Sequence, residues 1–528
     1  MAGGNTGKRS GPKRPPRRAR GAWADPADPA NRRHAELVIA SMQALERGDA
    51  ETANAGFRRV LAENIEHPDA LLGMGLIARG VKQYETAADL IRKAIQINPD
   101  VAGYWSNLGN VMQDMDRWAE AVEAHGQAVR LNPRHAAIRQ NFGSALNMID
   151  RSYDALPHLR EALRLNPGSP DAAANYATVL ARVGEFATAA RFFRQALEKA
   201  PDSAITNFNY GSSLLWMGRW AEGWPFYEWR FGAKSYEMSV RGLPVSPDLP
   251  DVLTGQRVFL YREQGIGDEI RFATMVPDVV ERGADVTLEV SPKLLRLFER
   301  SFPSVRVVAS PFLPAERGEE RFDIAMPTGS LGQHVRGSAE RFPRDRTLFR
   351  PDAQRVADLR RRVESLGAGP KIGLSWRSGV QGRLRNQFYA AVSDLEPVLR
   401  VRGVVFVNLQ YDDCLDELAE ITERFGVPVH AFDDLDLFDD LDGSAALTAA
   451  LDGVVSANTS VATIAGGVGV PCVEFHGRPV PSAYLIGGAD PWFSSVRPIG
   501  KRIADPWDRT MHRVSEIVGE WVRKDAGD

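Results

Sequence analysis

Three observations predict an all-helical repeat array followed by a pair of parallel α/β domains. Prolines at 99, 133, 167 and 201 are each 34 residues apart. Small residues keep the same step: Gly75, Gly109, Gly143, Ala177 and Gly211 form one column. Ala87, Ala121, Ala155 and Ala189 form another, and Ala94, Ala128, Ala162 and Ala196 a third. Beyond about residue 233 this period disappears, and short apolar runs alternate with helical patterns instead.

The chain opens on a Pro-, Gly- and Arg-rich segment, residues 1–33, which reads as a disordered basic tail. Residues 34–232 carry the repeat. Each unit fits a helical hairpin. The Gly/Ala column lets its first helix approach its second. The two alanine columns, seven apart, share a face of the second helix. Proline then ends the unit. This pattern resembles the tetratricopeptide repeat. Four full repeats fall between about 68 and 201, a degenerate one precedes them around Ala53 and Phe57, and an aromatic-rich helix pair closes the array. Such arrays are quasi-one-dimensional docking surfaces. A further 34-residue column, Asn107, Asn141, Asn175 and Asn209, lies on the first helix of each hairpin. In this family that helix lines the concave side. Those side chains are candidates to bind an extended peptide backbone; common use of asparagine there is the alternative.

Residues 233–252 read as a linker. In 253–366 the runs QRVFLYR, ADVTLEV, VRVVA and FDIAM read as buried strands. In 367–528, KIGLSW, VVFVNL, GVPVHAF, DGVVSA and PCVEF do the same, with a terminal helix. Strands alternating with helices argue for two Rossmann-like domains with a ligand cleft between them. The repeat array and this α/β half are expected to be separable modules, so that removing residues 34–232 would leave ligand binding intact.

Composition excludes several classes. The chain has 528 residues, 44% hydrophobic and 25% charged, which fits roughly three or four soluble domains. Its net charge is −3, although the first 20 residues hold seven basic residues and no acid. That balance gives no general electrostatic case for nucleic acid. Two cysteines, Cys414 and Cys472, exclude a disulfide scaffold and a cysteine-rich zinc site. No apolar run is long enough for a membrane span, and the N-terminus lacks the apolar stretch of a signal peptide, so a cytoplasmic setting is expected.

The first strand of the α/β half leads into EQGIGDEIRF, which has Gly265 and Gly267 but no third glycine. A dinucleotide site is therefore disfavoured. QGIGDEIRFATMVP, KIGLSWRSG, VNLQ, AALTAALDGVVSANTSVATIAGGVGVPC and DPWFSSVRPI, in that order and behind the repeats, resemble the catalytic region of bacterial tetratricopeptide-repeat glycosyltransferases. These have a GT-B-like pair of Rossmann-like domains and are related to heptosyltransferases and to protein O-GlcNAc transferases. The resemblance spans roughly residues 34 to 500. It implies metal-independent, inverting transfer from a nucleotide sugar to a protein acceptor held by the repeats, with no cofactor; some members glycosylate flagellin. A non-catalytic adaptor or chaperone with a degenerate transferase domain is the alternative.

Sugar transfer needs a base for the incoming hydroxyl, N–H or cationic groups for the leaving phosphate, and a nucleotide pocket. Asp268, in the turn between strand and helix, matches the position of the presumed base of the heptosyltransferases; helix capping is the alternative. Glu269 is adjacent and could share the role. Asn458, Thr459 and Ser460 open a helix whose free N–H groups suit a phosphate. The family usually has Asp and His in this motif, where this chain has Asn458 and Thr463. Arg377, Arg383 and Arg385 follow the first strand of the second domain and form a candidate phosphate clamp. Gln410, at the end of VNLQ, is a candidate for the base or ribose. The acidic run FDDLDLFDDLD lacks calcium-loop spacing and reads as a solvated loop before a helix capped by Ser444. No metal site is expected, and His334 and His476 read as structural.

Overall fold

The computed structural model describes residues 28–233, 246–313, 321–344, 347–379 and 388–525. These form two compact units divided between residues 146 and 147.

The first unit is built of helical hairpins. Its helices are α1 (Pro29–Glu46), α2 (Ala50–Glu63), α3 (Pro68–Gly80), α4 (Tyr84–Ile97), α5 (Ala102–Asp114), α6 (Trp118–Leu131) and α7 (Ala136–Met148), the last straddling the division. Helix α1 starts at Pro29 with Asp28 as its cap, so the expected tail gives way to helix before residue 33. The rest of that tail lies outside the described residues. Ala87, Ala94, Ala121 and Ala128 are wholly buried, as the periodic columns require. Gly75 and Gly109 explain the small column: a Cβ at these positions would sit 2.9 Å from Ile91 and 2.5 Å from the His125 ring. His125 is itself fully buried, and burial pushes its imidazole down to about 4.

The second unit continues with α8 (Ser152–Leu165), α9 (Pro170–Arg182), α10 (Phe186–Leu197), α11 (Ala204–Trp216) and α12 (Trp220–Tyr227). Hairpin turns carry a left-handed residue every 34 positions: Gly48, Lys82, Asp116, Asp150, Gly184 and Gly218.

Two parallel sheets follow. The first contains β1 (Arg257–Tyr261), β2 (Asp285–Val290), β3 (Arg306–Ala309) and β4 (Ile324–Pro327), in the order β3-β2-β1-β4. The second contains β5 (Lys371–Ser375), β6 (Val405–Asn408), β7 (Val429–His430), β8 (Gly453–Ala457), β9 (Cys472–His476) and β10 (Val496–Gly500), in the order β10-β9-β8-β5-β6-β7. Strand β10 was not among the expected strands. Its Pro498 argues against a sheet interior, and the strand lies at the sheet edge, where a missing N–H is tolerated.

Two expected boundaries shift. Leu215, Trp220 and Trp224 of the last hairpin belong to the same apolar core as Leu260, Phe272 and Val454. The Trp224 indole N–H donates to the Arg336 carbonyl at 2.9 Å. Arg230, fully buried, is clamped by Glu263 at 2.6 Å, by Glu228 and by Ser330. The line drawn at residue 232 thus cuts a continuous core, which argues against separable modules at that point. Part of the linker, 234–245, lies outside the described residues, while Leu249 and Leu253 behind it are core residues.

The acidic run is an exposed loop as expected, but its aspartates are paired at the surface. Asp434 pairs with Arg362, Asp439 with Lys293, Asp440 with Arg355 and Asp442 with Arg300. The helix behind it, Leu441–Ala449, is capped by Asp440, which accepts from the Gly443 N–H, rather than by Ser444.

Candidate functional site

In each sheet the chain reverses its direction of travel at one point: between β1 and β4 in the first, between β5 and β8 in the second. Ligands of open parallel sheets bind beyond the strand C-termini at such reversals. Strand β1 runs into α13 (Ile266–Ala273), which carries Asp268 in its first turn. Strand β8 runs into the helix Ser460–Val468. The two helix starts approach one another, and a Cβ on Gly267 would lie 3.8 Å from the Thr463 hydroxyl.

Between them lies a cavity of about 690 Å³. Asp268, Asn458, Thr459 and Ser460 all line it, so four expected site residues come together. Thr459 caps the helix, its hydroxyl accepting from the Val461 N–H at 3.3 Å. The other first-turn N–H groups have no intrahelical acceptor, which suits an anion. Burial pushes the Asp268 carboxyl above its ordinary value, with Arg271 opposing and Glu263 reinforcing the shift. A carboxylate raised toward neutrality is better matched to proton abstraction than a free one.

Other expectations fail on geometry. Glu269 does not line the cavity: it accepts from the Ser291 N–H at 2.5 Å and pairs with Arg262 at 3.0 Å. Burial pushes its carboxyl up to about 7. The Arg377 guanidinium is engaged by Glu417, whose Oε1 lies 2.9 Å from its Nε, by Asp412 and by the Asp413 carbonyl, and it does not line the cavity, so it is not placed as a phosphate clamp there. Gln410 is buried, accepting from the Trp376 and Arg377 N–H groups at 3.2 and 3.3 Å. It is a structural joint between strand ends and not part of the cavity wall. Arg383 and Arg385 lie outside the described residues. In the asparagine column, Asn107 donates to the Gly103 carbonyl, Asn141 to Asn110 and Asn209 to Thr178. These three side chains thus spend a donor on their own array, while Asn175 is half-buried.

Sequence reasoning missed a polar network in the cavity wall. Glu474, buried in β9, accepts from Asn458 at 2.7 Å and meets His476 at 2.9 Å. Arg271, one turn after Asp268, reaches Glu474 at 3.6 Å and Asp490 at 3.3 Å. Tyr484 also donates to Asp490 at 3.3 Å. Burial raises Glu474, but His476, Arg271 and Asn458 outweigh it and hold the carboxyl below its ordinary value. The network ties α13, the helix that carries Asp268, to the second sheet. Its members are some 200 residues apart, and no local pattern announces them. The uncharged Asn458 is explained here, since an aspartate would face Glu474 across 2.7 Å without a donor. His476 is structural as expected in bonding Glu474, yet it also lines the cavity.

Among the described residues no group of His, Cys, Asp and Glu is arranged to hold a metal. No described helix is long and apolar enough to cross a membrane.

Tetratricopeptide-repeat family profiles match residues 41–102 and 154–205. The chain carries tetratricopeptide repeats. Arrays of this kind are protein-interaction surfaces. Protein FlbA of Caulobacter vibrioides is 36% identical over 316 residues, 57% of this chain and 52% of FlbA. The chain therefore spans about half the length of that curated relative. Among solved structures, the pilF protein of Pseudomonas aeruginosa aligns at 19% identity and a TM-score of 0.34, covering 39% of this chain and 90% of its own. YrrB, described as a TPR protein with an unusual peptide-binding site, aligns at 21% identity and a TM-score of 0.30, covering 34% and 94%.

Proposed function

We propose that this protein is a cytoplasmic glycosyltransferase that moves a sugar from a nucleotide-sugar donor to a protein acceptor engaged by the repeats, with inversion and without a metal. The observation that carries this reading is the cavity that faces the Asp268 carboxyl toward the start of the Ser460 helix, each at the strand reversal of its own sheet. Asp268 takes the proton of the acceptor hydroxyl as that oxygen bonds to the anomeric carbon. The bond from that carbon to the donor phosphate breaks, and the phosphate leaves with its electron pair against the helix N–H groups. Flagellin is the acceptor that the family resemblance suggests.

The test is Asp268→Asn in the full chain. Transfer is expected to fall by about 10²–10⁴-fold, the usual contribution of a general base, with donor affinity nearly unchanged. Near-normal transfer would reduce Asp268 to a helix-start carboxylate. The adaptor reading is favoured by one observation, Thr463 in place of the family's histidine on the cavity wall. It predicts donor binding without turnover in the unsubstituted protein.

A further inference from the structure

Arg478 lines the cavity from the loop after β9. Among the described residues it forms no hydrogen bond or ion pair. Its guanidinium instead lies 5.5 Å from the Trp216 ring centre and 5.6 Å from that of Phe388. Arg182, at the end of repeat helix α9, sits over the same Phe388 ring at 5.7 Å. Arg182 is held on one side by Asp150 at 2.9 Å, while its Nε is buried without a partner. Burial, and then the neighbouring Arg182 charge, push Arg478 below its ordinary value. The Tyr389 hydroxyl and the Glu474 carboxylate oppose that shift, but Glu474 is already engaged by His476, Asn458 and Arg271.

Among the described residues the two guanidiniums over one aromatic ring share one direct ion pair, Arg182 to Asp150, which leaves a net positive charge at the cavity wall. Such an arrangement is costly unless an anion completes it. The aromatic faces hold the planar cations in place without neutralising them and leave their N–H edges free for oxygen atoms. We propose that Arg478, backed by Arg182 of the repeat array, forms an oxyanion subsite of the cavity that takes a phosphate group. Arg478 makes the contact and Arg182 acts through it as a positioning residue. The phosphate being that of a nucleotide sugar rests on the functional reading above; the subsite itself stands on these side chains. One consequence is that the repeats help to build the ligand site as well as docking a protein.

The test uses the full chain and inorganic pyrophosphate, followed by uridine diphosphate and cytidine monophosphate, in titration calorimetry and thermal shift. Pyrophosphate is expected to bind the unsubstituted protein and to raise its Tm. Arg478→Gln should weaken binding at least tenfold, and Arg182→Gln about threefold. Arg478→Lys should recover part of the loss, because it restores charge without the planar fork. Both glutamine variants should melt no lower than the parent when no anion is present, a readout that a purely structural role would not give. Absence of pyrophosphate binding in the parent, or equal binding by Arg478→Gln and Arg182→Gln, would overturn the subsite. Transfer activity with pyrophosphate binding indifferent to Arg478 would sink the subsite and leave the transferase reading standing. Binding that depends on Arg478 without any transfer would do the reverse.

Discussion

The hairpin turns of the first unit and those at the end of the array solve one backbone problem with different residues. Every turn needs a left-handed residue. In the first unit Lys82 and Asp116 adopt it at φ of 60° and 59°, so the conformation alone does not demand glycine. In the second unit the last two turns use Gly184 and Gly218. There the loop after β9 presses in: a Cβ on Gly184 would lie 2.6 Å from Pro479, and one on Gly218 would lie 2.2 Å from the Ala483 carbonyl oxygen. The comparison teaches that one repeat can serve two purposes. Open turns tolerate either kind of residue, Gly48 as well as Lys82 and Asp116, while the two turns that seat the loop after β9 have no room for a side chain.

The sharpest way to break that comparison is truncation. A chain starting at residue 147 should fold cooperatively and keep pyrophosphate binding. One starting at 233 should lose both, because it lacks Leu215, Trp220, Trp224 and Arg230 of the shared core. Circular dichroism melts and calorimetry on the two fragments check this. If the shorter fragment folds and binds, the last hairpin is only an appendage.

Glycine substitution comes next. Gly218→Ala combines a left-handed alanine with a backbone collision, and should cost about 2–4 kcal/mol. Gly48→Ala has open space and should cost about 1 kcal/mol. Equal losses in denaturant titration would mean that the close approach at Ala483 has no energetic consequence.

A third expectation concerns acid. His125 titrates at about 4 when folded, below the ordinary 6.5, so the first unit keeps its full stability above pH 6.5 and loses it as pH falls toward 4. The loss approaches about 3 kcal/mol at the bottom of that window. His125→Gln should flatten this dependence in melts followed between pH 7 and 4; an unchanged slope would place the acid sensitivity elsewhere. The last expectation concerns the helix side of the cavity. Bulky apolar residues in place of Thr459 and Ser460 should weaken pyrophosphate by about 1–3 kcal/mol, the cost of unmade charge-assisted hydrogen bonds. Unchanged affinity would leave both as plain caps.

The repeat was legible because burial repeats: a wholly buried alanine must recur wherever the same two helices meet. Nine of the ten described strands were legible as apolar runs, all but β10, and Asp268 and Ser460 because each lies at the start of a helix that follows a strand. Arg377 misled for a physical reason. A cation after a strand end resembles an anion clamp until the neighbouring strand's loop supplies Asp412 and Glu417 from some forty residues away. Arg478 and the Arg271–Glu474–Asp490 network escaped for the same reason, since pairing and its absence are both properties of three-dimensional neighbours.

The apolar core that runs from Trp220 through Phe272 to Val454 and Phe493 spans the last hairpin and both α/β halves without interruption. Two lobes fused in this way cannot swing as independent bodies without exposing that surface to water. A ligand entering the cavity is then expected to meet a preformed shape. Such a site gains affinity from what it does not have to rearrange, and its rate of capture is governed by diffusion into a fixed opening.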